Sequence, residues 1–304
     1  SQAIDDQCVE RANRYQHQQE RGRRFYALTP DERKLVSALN IAGRRGDWSQ
    51  VSRVWGKYSG HAVPAHGAAM QAAYRCGRYE DAAAIYRRLR NVPGVRIDPV
   101  ILQQGLKIFG KLQDGKAVAR IWSEATAASQ VNRIVAGSRI NAAASMGDIE
   151  GAAECLDYMI SHQIEPDVPP FNSAINACAN ADPPKAHAAM YFYDLILKKS
   201  LQPTVMTFTS LVRAHRLTRA ADLRAIRASM GKRDIKPDQV FAEAFMGAAF
   251  GGRVPASVAQ VRRHIAEMSQ ERRQELQDAL NDFKKIQVMT GLCWLVDRAC
   301  SGPA

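Results

Sequence analysis

The sequence predicts an all-α protein, an α-solenoid of about six to seven helix-turn-helix repeats of roughly 35 residues that ends in capping helices. Three observations support this class. Pro166, Pro203 and Pro237 close successive units at nearly equal spacing, each before a polar residue and a new apolar run. Glycines and prolines fall mostly between apolar runs, and almost nothing alternates with the period of two that strands require. Because each unit packs on its neighbours, function is expected along an extended surface.

The first three repeats are predicted within residues 30–127, after a polar, basic N-terminal arm over residues 1–29. The first repeat starts where Thr29 offers an N-cap before Pro30 and two acidic residues. Its second helix is predicted from Trp48 to about Tyr58. The second repeat pairs helices over 68–75 and 79–86 across a turn at Gly77. The third is weaker, with helices over 100–111 and 115–127 and a displaced turn glycine.

Four further repeats are predicted from residue 134 onward, so that the solenoid covers residues 30–255. The fourth repeat is the most regular: its second helix over 149–160 carries the i, i+3, i+4, i+7 stripe of an amphipathic helix. The fifth begins at Phe171 and has a longer turn over 181–184. The sixth runs from Thr207 to Asp238, and the seventh opens at Val240.

Residues 256–304 are predicted to form a C-terminal helical cap. Two charged amphipathic helices, over 256–269 and 272–288, precede a short apolar helix over 291–299. Leu292, Trp294, Leu295 and Val296 are expected to be shielded from water. Two interpretations stay open: the helices cover the last repeat, or they form a docking surface for a partner.

Composition indicates a basic chain that suits a polyanionic partner. Lysine and arginine number 42 against 30 acidic residues, which gives a net charge of +12 and a pI near 9.6. RNA-binding proteins show this balance, but so do ribosome-associated proteins, organellar proteins and binders of anionic membranes. No apolar run approaches the ~20 residues that cross a bilayer, so no transmembrane segment is expected. The six cysteines form neither a Cys-x-x-Cys pair nor a metal-ligand pattern with histidine, and reduced, buried thiols are predicted: Cys8, Cys76, Cys155, Cys178, Cys293 and Cys300.

Several segments resemble the pentatricopeptide repeat family. The run from Pro170 to Cys178 is similar to the opening helix of such a repeat, and residues 207–214 are a second copy. The closing segments 163–167 and 234–238 and the turn over 146–152 also match. The resemblance implies an α-solenoid located in an organelle, mitochondrion or plastid, after removal of a transit peptide. It also implies binding of single-stranded RNA, commonly one base per repeat.

Carried onto this chain, the family's base-reading positions form three pairs: Asn172 with Thr204, Thr209 with Asp238, and Gly137 with Asp167. Only the pair of Thr209 and Asp238 is a combination that the family uses recognisably, and it would favour guanine. The equivalent positions elsewhere are unsuited to a code: Val36, Gly67 and Glu243. We therefore expect base recognition to be weak or absent.

Two other features bear on RNA contact. Apolar residues persist at the positions that sandwich bases in the family, although a helix start that packs on its neighbour would show the same pattern: Ile134, Pro169, Met206 and Val240. Arg213, Arg216 and Arg219 in the sixth repeat either contact phosphate or belong to a solvated helix end.

No enzymatic function is predicted. Some members of the family carry a catalytic domain, but a zinc deaminase would need His-x-Glu and Cys-x-x-Cys, and neither occurs. The acids of the C-terminal region recur at helical spacing among lysines and arginines and indicate a solvated face: Glu271, Glu275, Asp278 and Asp282. The sequence also lacks a glycine-rich phosphate loop and a nucleophile elbow. We therefore expect no catalytic residues, no cofactor and no bound metal.

Two classes of function remain. In the first, the chain binds single-stranded or ribosomal RNA, or the RNA backbone, within an organellar ribonucleoprotein. In the second, it is a structural scaffold subunit of a large organellar complex, a ribosome or a membrane-protein assembly, and acts through protein partners. The basic charge and the resemblance favour the first class; the degenerate base-reading positions, the short array and the extra terminal helices favour the second.

Overall fold

A computed structural model describes residues 25–95 and 97–301. These residues contain no strand and form sixteen helices: α1 (Pro30–Arg45), α2 (Trp48–Trp55), α3 (Val63–Arg75), α4 (Tyr79–Arg90), α5 (Pro99–Lys111), α6 (Gly115–Ala127), α7 (Arg133–Met146), α8 (Ile149–Ser161), α9 (Val168–Asn180), α10 (Ala186–Lys198), α11 (Val205–Ala214), α12 (Ala220–Gly231), α13 (Gln239–Ala249), α14 (Val258–Glu267), α15 (Gln270–Lys285) and α16 (Gly291–Ser301). The prediction of an all-α chain of helix-turn-helix repeats is confirmed. The predicted N-terminal arm lies outside the described residues up to position 24, as does Cys8.

The chain divides into two compact units, Ser1–Ala142 and Ala143–Ala304. The odd-numbered helices from α1 to α13 are the first helices of successive hairpins, and the even-numbered helices from α2 to α12 are the second helices. No described helix has both the length and the apolar character that a bilayer crossing needs. Within the described ranges, no group of three or more His, Cys, Asp or Glu side chains is arranged to hold a metal ion.

The predicted repeat ends have a common backbone cause. Gln163, Ser200 and Asp234 follow second helices and adopt left-handed conformations, with φ of 59°, 57° and 53°. The N–H of the next residue then donates to a carbonyl five residues back, as from Ile164 to Met159 over 2.8 Å. This is the hydrogen bond that ends many helices at a left-handed residue. A proline three residues beyond each left-handed residue prevents the helix from resuming.

In the first unit, first helices pack on first helices: α1 contacts α3, and α3 contacts α5. Each of these helices also packs on the second helix of its own hairpin. Gly77 forms the predicted turn of the second repeat with φ of 72°. In the third repeat Gln113 takes the left-handed position with φ of 55°, and Gly115 instead begins α6. The second helix of the first repeat ends at Trp55 rather than Tyr58, because residues 56 and 57 form a turn.

Substituting Gly43 with alanine is expected to destabilise the first unit by about 2 kcal/mol, because a Cβ there would overlap α3. That atom would lie 2.7 Å from the Cα of Ala72, a backbone atom that cannot rotate away. The overlap outweighs the gain of up to about 1 kcal/mol that alanine brings to a helix. The matched control is Gly137→Ala in α7, where a Cβ meets nothing within 4 Å. Urea denaturation should show opposite signs for the two variants, and equal effects would contradict the close approach.

In the second unit, the first helices α9, α11 and α13 again pack in succession. The seventh hairpin is different, because the partner of α13 is α15 and not the helix that follows it in the sequence. Helix α15 also packs on α12, the second helix of the sixth repeat. Gln287, after α15, has φ of 58°, and Val288 donates to the Phe283 carbonyl over 2.9 Å, which repeats the ending of the other second helices. We conclude that α15 completes the seventh repeat.

Helix α14 is therefore an insertion between the two halves of the seventh repeat. It packs on α16 through buried Val261, and Arg262 Nε donates to the Ala299 carbonyl over 3.4 Å. Helix α16 also packs on α13, in the place of a further first helix. Leu292 and Val296 are buried as expected, but Trp294 is 52% exposed and lies beneath the Arg298 guanidinium at 4.4 Å. The prediction for Trp294 was wrong because it lies off the buried stripe of α16.

The acidic face predicted for α15 is only partly solvated. Glu275 is 1% exposed and accepts hydrogen bonds from two arginines of α12, from Arg224 Nε over 2.8 Å and from Arg227 Nε over 2.9 Å. Arg227 also pairs with Asp282. An unpaired charge at this buried position would be costly. The carboxylate therefore stays paired with the arginines, and the pairs join the second helices of the sixth and seventh repeats.

Arg272, in the first turn of α15, binds the ends of two first helices. Its guanidinium donates to four backbone carbonyls, those of Ala248 and Ala249 over 2.7 Å, Thr218 over 3.1 Å and Arg216 over 3.3 Å. The carbonyls of Ala248 and Ala249 lie at the C-terminal end of α13, where a helix leaves acceptors without partners, and those of Arg216 and Thr218 lie in the turn that follows α11. Arg272 therefore fixes α15 against both first helices.

The described cysteines form no disulfide bond with one another. Cys155, Cys178 and Cys293 are buried, Cys76 is half-buried and Cys300 is exposed. Burial raises the pKa of Cys178 to about 12, so its thiol stays protonated and unreactive at neutral pH.

Candidate nucleic-acid interface

Exposed apolar side chains occupy the same position at the start of successive first helices. In the first unit, Val100 and Ile134 are 56% and 60% exposed. In the second unit, Met206 and Val240 are 67% and 57% exposed, and Pro169 is also exposed. Each is the second residue of its helix. The pattern places an apolar residue on the open surface once in each repeat from the third to the seventh.

The neighbouring residues explain why these positions stay open. Phe171, Phe208 and Phe241, one or two residues further along, are fully buried between the helices. A helix turns by about 100° per residue, so the second residue points away from the side that carries the buried phenylalanine. The alternative interpretation, that these apolar residues pack on a neighbouring repeat, is not supported in the described chain.

Asn172 and Thr204, one of the predicted pairs, are brought together. The Nδ2 of Asn172 lies 3.5 Å from Thr204 Oγ1. Buried Thr207 links them, because its hydroxyl donates to Asn172 Oδ1 over 2.7 Å and accepts the Thr204 N–H over 2.9 Å. The sequence interpretation did not include Thr207 in the site; the signal was its position three residues after a threonine N-cap. With Oδ1 engaged and one N–H directed at Thr204 Oγ1, the other N–H of the Asn172 amide is left for a ligand.

Thr209 and Asp238, the pair expected to favour guanine, form hydrogen bonds within the fold. Thr209 is 6% exposed, and its hydroxyl donates to the Val205 carbonyl over 2.8 Å. Asp238 is the N-cap of α13, and its carboxylate accepts the Phe241 N–H over 2.7 Å. Their role in base selection stays a prediction that would require the Thr209 hydroxyl to turn outward.

The third predicted pair is divided between the units: Gly137 lies in the first and Asp167, the N-cap residue of α9, in the second. The three arginines of the sixth repeat differ in their surroundings. Arg213 and Arg219 have exposed side chains. The guanidinium of Arg216 donates to the carbonyls of Ala179 over 2.5 Å and Arg213 over 3.1 Å, so it joins the ends of α9 and α11. Arg213 and Arg219 are better placed than Arg216 to meet phosphate.

Two buried histidines make stability depend on pH. Burial lowers the pKa of His66 and of His215, although a backbone carbonyl opposes the shift in each case. Arg88 and His61 also lower the pKa of His66. For His215, Asp222 raises the pKa and His187 lowers it. Both side chains are therefore neutral in the folded protein at pH values where an unfolded histidine begins to bind protons.

We expect the free energy of unfolding to fall as the pH drops from about 7 to about 5. In the unfolded chain these histidines titrate near the ordinary value of about 6.5, whereas in the folded chain they bind protons only at lower pH, so acid favours unfolding. The pKa of Glu32 is also lowered, but its effect on stability falls below the ordinary value of 4.5 and therefore outside the range between pH 7 and pH 5. Urea denaturation of His66→Phe and His215→Phe should show a shallower pH dependence than the parent chain. An unchanged slope in both variants would contradict the explanation.

Comparisons with known proteins bear on the fold. No protein-family model and no curated protein matches the chain. The crystal structure of the pentatricopeptide repeat protein PPR10 in complex with an 18-nt psaJ RNA element aligns with 96% of the chain, at 17% identity and a TM-score of 0.63. A triple cysteine-to-serine variant of PPR10 with the same element gives the same values. PPR10 from maize aligns with 83% of the chain, at 17% identity and a TM-score of 0.51.

The chain spans less than half the length of these proteins, 44% in the two RNA complexes and 40% in the maize structure. At 17% sequence identity, this similarity indicates a shared fold but not a shared ligand. The repeat period, the alternating first and second helices and the structural alignment agree with one another. The chain has the fold of a pentatricopeptide repeat protein.

Proposed function

We propose that the chain binds single-stranded RNA along the starts of its first helices, without catalysis, as part of an organellar ribonucleoprotein. The observation that carries this proposal is the apolar residue exposed once in each repeat from the third to the seventh, as at Met206 and Val240. A regular series of exposed large apolar side chains on a helical repeat suggests a surface that a ligand covers.

The chemistry of that surface suits unstacked bases. The face of a base is apolar, and covering it with Met206 or Val240 removes apolar surface from water, at about 25 cal/mol per Å². Every base has such a face, so this contact does not depend on sequence. The Asn172 amide can add one hydrogen bond to a base edge. The net charge of +12 favours the RNA backbone through release of counterions.

The structural neighbours support the same proposal by analogy. PPR10 was solved with an RNA element, and its fold aligns with nearly the whole chain. The internal hydrogen bonds of Thr209 and Asp238 favour binding of weak base selectivity, in which the backbone and the base faces supply most of the affinity.

Substituting Met206 and Val240 together with alanine is expected to weaken RNA binding about tenfold, since stacking on one base contributes roughly 1–3 kcal/mol to binding when aromatic residues supply it. Fluorescence anisotropy with a labelled single-stranded RNA of mixed sequence would measure the change. Ile160→Ala with Ile286→Ala is the matched control, because these residues are 44% and 45% exposed but end second helices. Equal losses in both double variants would contradict the proposal.

A parent chain that fails to bind RNA at physiological salt would overturn the proposal and favour a scaffold that contacts protein partners.

The organellar location rests on the family resemblance. Imaging of the full-length protein as a fluorescent fusion tests it, and a signal outside both mitochondria and plastids would contradict it. Migration of the native protein with a large particle that disperses on ribonuclease treatment is the result expected for a ribonucleoprotein.

A further inference from the structure

A cavity of about 310 Å³ lies in the first unit, between the second helices of the second and third repeats. Residues of α4 and α6 line most of it, and buried Phe109 of α5 completes the lining. We call it the α4–α6 cavity. None of its lining residues belongs to the start of a first helix, so it is distinct from the candidate RNA surface. Its volume is at the lower end of the range in which proteins bind small molecules.

The charged residues of the cavity leave two arginines available. Arg87 and Arg90 line it from α4, and Arg120 lines it from α6. Arg90 is already paired, because its Nη1 donates to Glu124 Oε1 over 2.5 Å. The second acid of the lining, Asp114, caps α6 and accepts a backbone N–H over 2.9 Å. Among the described residues no acid forms an ion pair with Arg87 or Arg120, so these two guanidinium groups favour an anionic ligand.

Tyr86 brings a buried hydroxyl to the same cavity. The residue is 4% exposed, and its hydroxyl has no hydrogen-bond partner in the part of the chain that the structure describes. Burial raises the pKa of Tyr86 to about 12, so the hydroxyl keeps its proton at neutral pH and can donate it. The charged groups that act on the hydroxyl are Arg90, Glu124 and Arg120, and all three line the cavity. A buried donor without a partner costs free energy, which a ligand that accepts its proton would recover.

The Tyr86 ring is held in place before any ligand arrives. It meets the Phe109 ring edge to face, with centroids 5.5 Å apart. Gly105 of α5 makes room for it, because a Cβ there would lie 2.6 Å from Cε2 of Tyr86 and 3.0 Å from Cδ1 of Ile121. Glycine inside a helix costs about 1 kcal/mol relative to alanine. A donor that is already fixed loses little further freedom when a ligand binds.

We propose that the α4–α6 cavity binds a small phosphate monoester, whose phosphate accepts hydrogen bonds from Arg87, Arg120 and the Tyr86 hydroxyl. The planar set of donors in a guanidinium group matches phosphate oxygens. A phosphate monoester carries nearly two negative charges at pH 7, which two arginines balance, whereas a carboxylate or a phosphodiester carries one. The inference goes beyond the proposed function, because it does not depend on RNA at the starts of first helices.

Isothermal titration calorimetry with phenyl phosphate as the probe tests the charge of the site. The parent chain should bind phenyl phosphate about tenfold more tightly than benzoate, which carries one charge. Arg120→Met should weaken binding of phenyl phosphate about tenfold, as expected for the loss of a charged hydrogen bond. Lys116→Met is the matched control, because Lys116 is exposed one turn earlier in α6 and does not line the cavity. Equal losses in the two variants would overturn the site.

Tyr86→Phe tests the hydroxyl, because it removes that group and keeps the ring. It should weaken binding of phenyl phosphate about fivefold, the effect of one lost hydrogen bond. Urea denaturation of the ligand-free variant should show no loss of stability, because the removed hydroxyl has no partner in the described fold. An unchanged affinity, or a ligand-free variant that is clearly destabilised, would overturn the role of the hydroxyl in binding.

Competition with single-stranded RNA separates a small monoester from the phosphodiesters of an RNA strand. RNA should not displace phenyl phosphate from the parent chain. Displacement that persists when Met206 and Val240 are both replaced with alanine would assign the cavity to the RNA backbone and overturn the inference. A parent chain that binds no phenyl phosphate at millimolar concentration would also overturn it. A parent chain that binds phenyl phosphate but no RNA would overturn the proposed function and support this site.

Discussion

Replacing Phe283 with alanine is expected to lower the free energy of unfolding of the second unit by about 4 kcal/mol, the range found when a buried phenylalanine is removed. Phe283 is fully buried in α15, and its ring lies 6.2 Å from that of Phe241 and 6.0 Å from that of Phe245, both in α13. The cavity left behind would weaken the packing of α15 on α13, the first helix of the same repeat.

The control for this prediction is Ile286→Ala, since Ile286 directly follows α15 and is 45% exposed. Its loss should cost well under 1 kcal/mol, as surface substitutions usually do. Urea denaturation followed by circular dichroism would compare the variants, with the transition of the second unit fitted separately from that of the first. Similar effects of the two substitutions would contradict the assignment of α15 to the seventh repeat.

Replacing Arg272 with methionine is expected to destabilise the second unit by about 3 kcal/mol. A hydrogen bond from a charged donor contributes roughly 1.5–3 kcal/mol, and the substitution would leave the carbonyls at the ends of α11 and α13 without that donor. Burial lowers the pKa of Arg272, yet the guanidinium stays charged at neutral pH because an arginine side chain ordinarily loses its proton only at far higher pH. The unfavourable desolvation is offset by the four acceptors.

Arg273→Met is the matched control for Arg272. Arg273 is the next residue, its side chain is exposed, and it donates only to the Met268 carbonyl. Arg272→Lys should be intermediate, because an ammonium group cannot reproduce the planar set of donors. Urea denaturation would rank the three variants. A loss for Arg273→Met equal to that for Arg272→Met would show that the carbonyl contacts do not hold α15 in place.

The repeats could be predicted because their signals are local. A left-handed residue followed by a proline ends each of the helices that precede Pro166, Pro203 and Pro237. Thr29 caps α1 as expected, and Glu32 completes a capping box with it. Several helices begin earlier than the apolar periodicity indicates. Helix α3 starts at Val63, because Pro64 is compatible with the first turn of a helix.

The seventh repeat could not be predicted because its pairing is not local. The partners of Glu275 lie on α12, 51 and 48 residues away, so that a carboxylate at helical spacing was interpreted as solvated. The insertion of α14 is equally hidden, since α14 and α15 both have charged amphipathic sequences. Only the packing of α15 on α12 and α13 distinguishes the second helix of a repeat from the inserted one.

The candidate interface was predicted in part. Four of the apolar residues at helix starts were identified from the sequence, Ile134, Pro169, Met206 and Val240, whereas Val100 was not. Their exposure depends on how the residues beside them pack. The Asn172 and Thr204 pair was expected, whereas the hydroxyl of Thr207 that joins it to the fold was not.

Photocrosslinking of the purified chain to a thiouridine-labelled single-stranded RNA, followed by mass spectrometry of the linked peptides, tests the central claim most directly. The account predicts crosslinks at the starts of first helices, in the peptides that contain Met206 and Val240, and these should disappear when unlabelled RNA competes. Crosslinks confined to the second helices, or none at a concentration where binding is saturated, would contradict it.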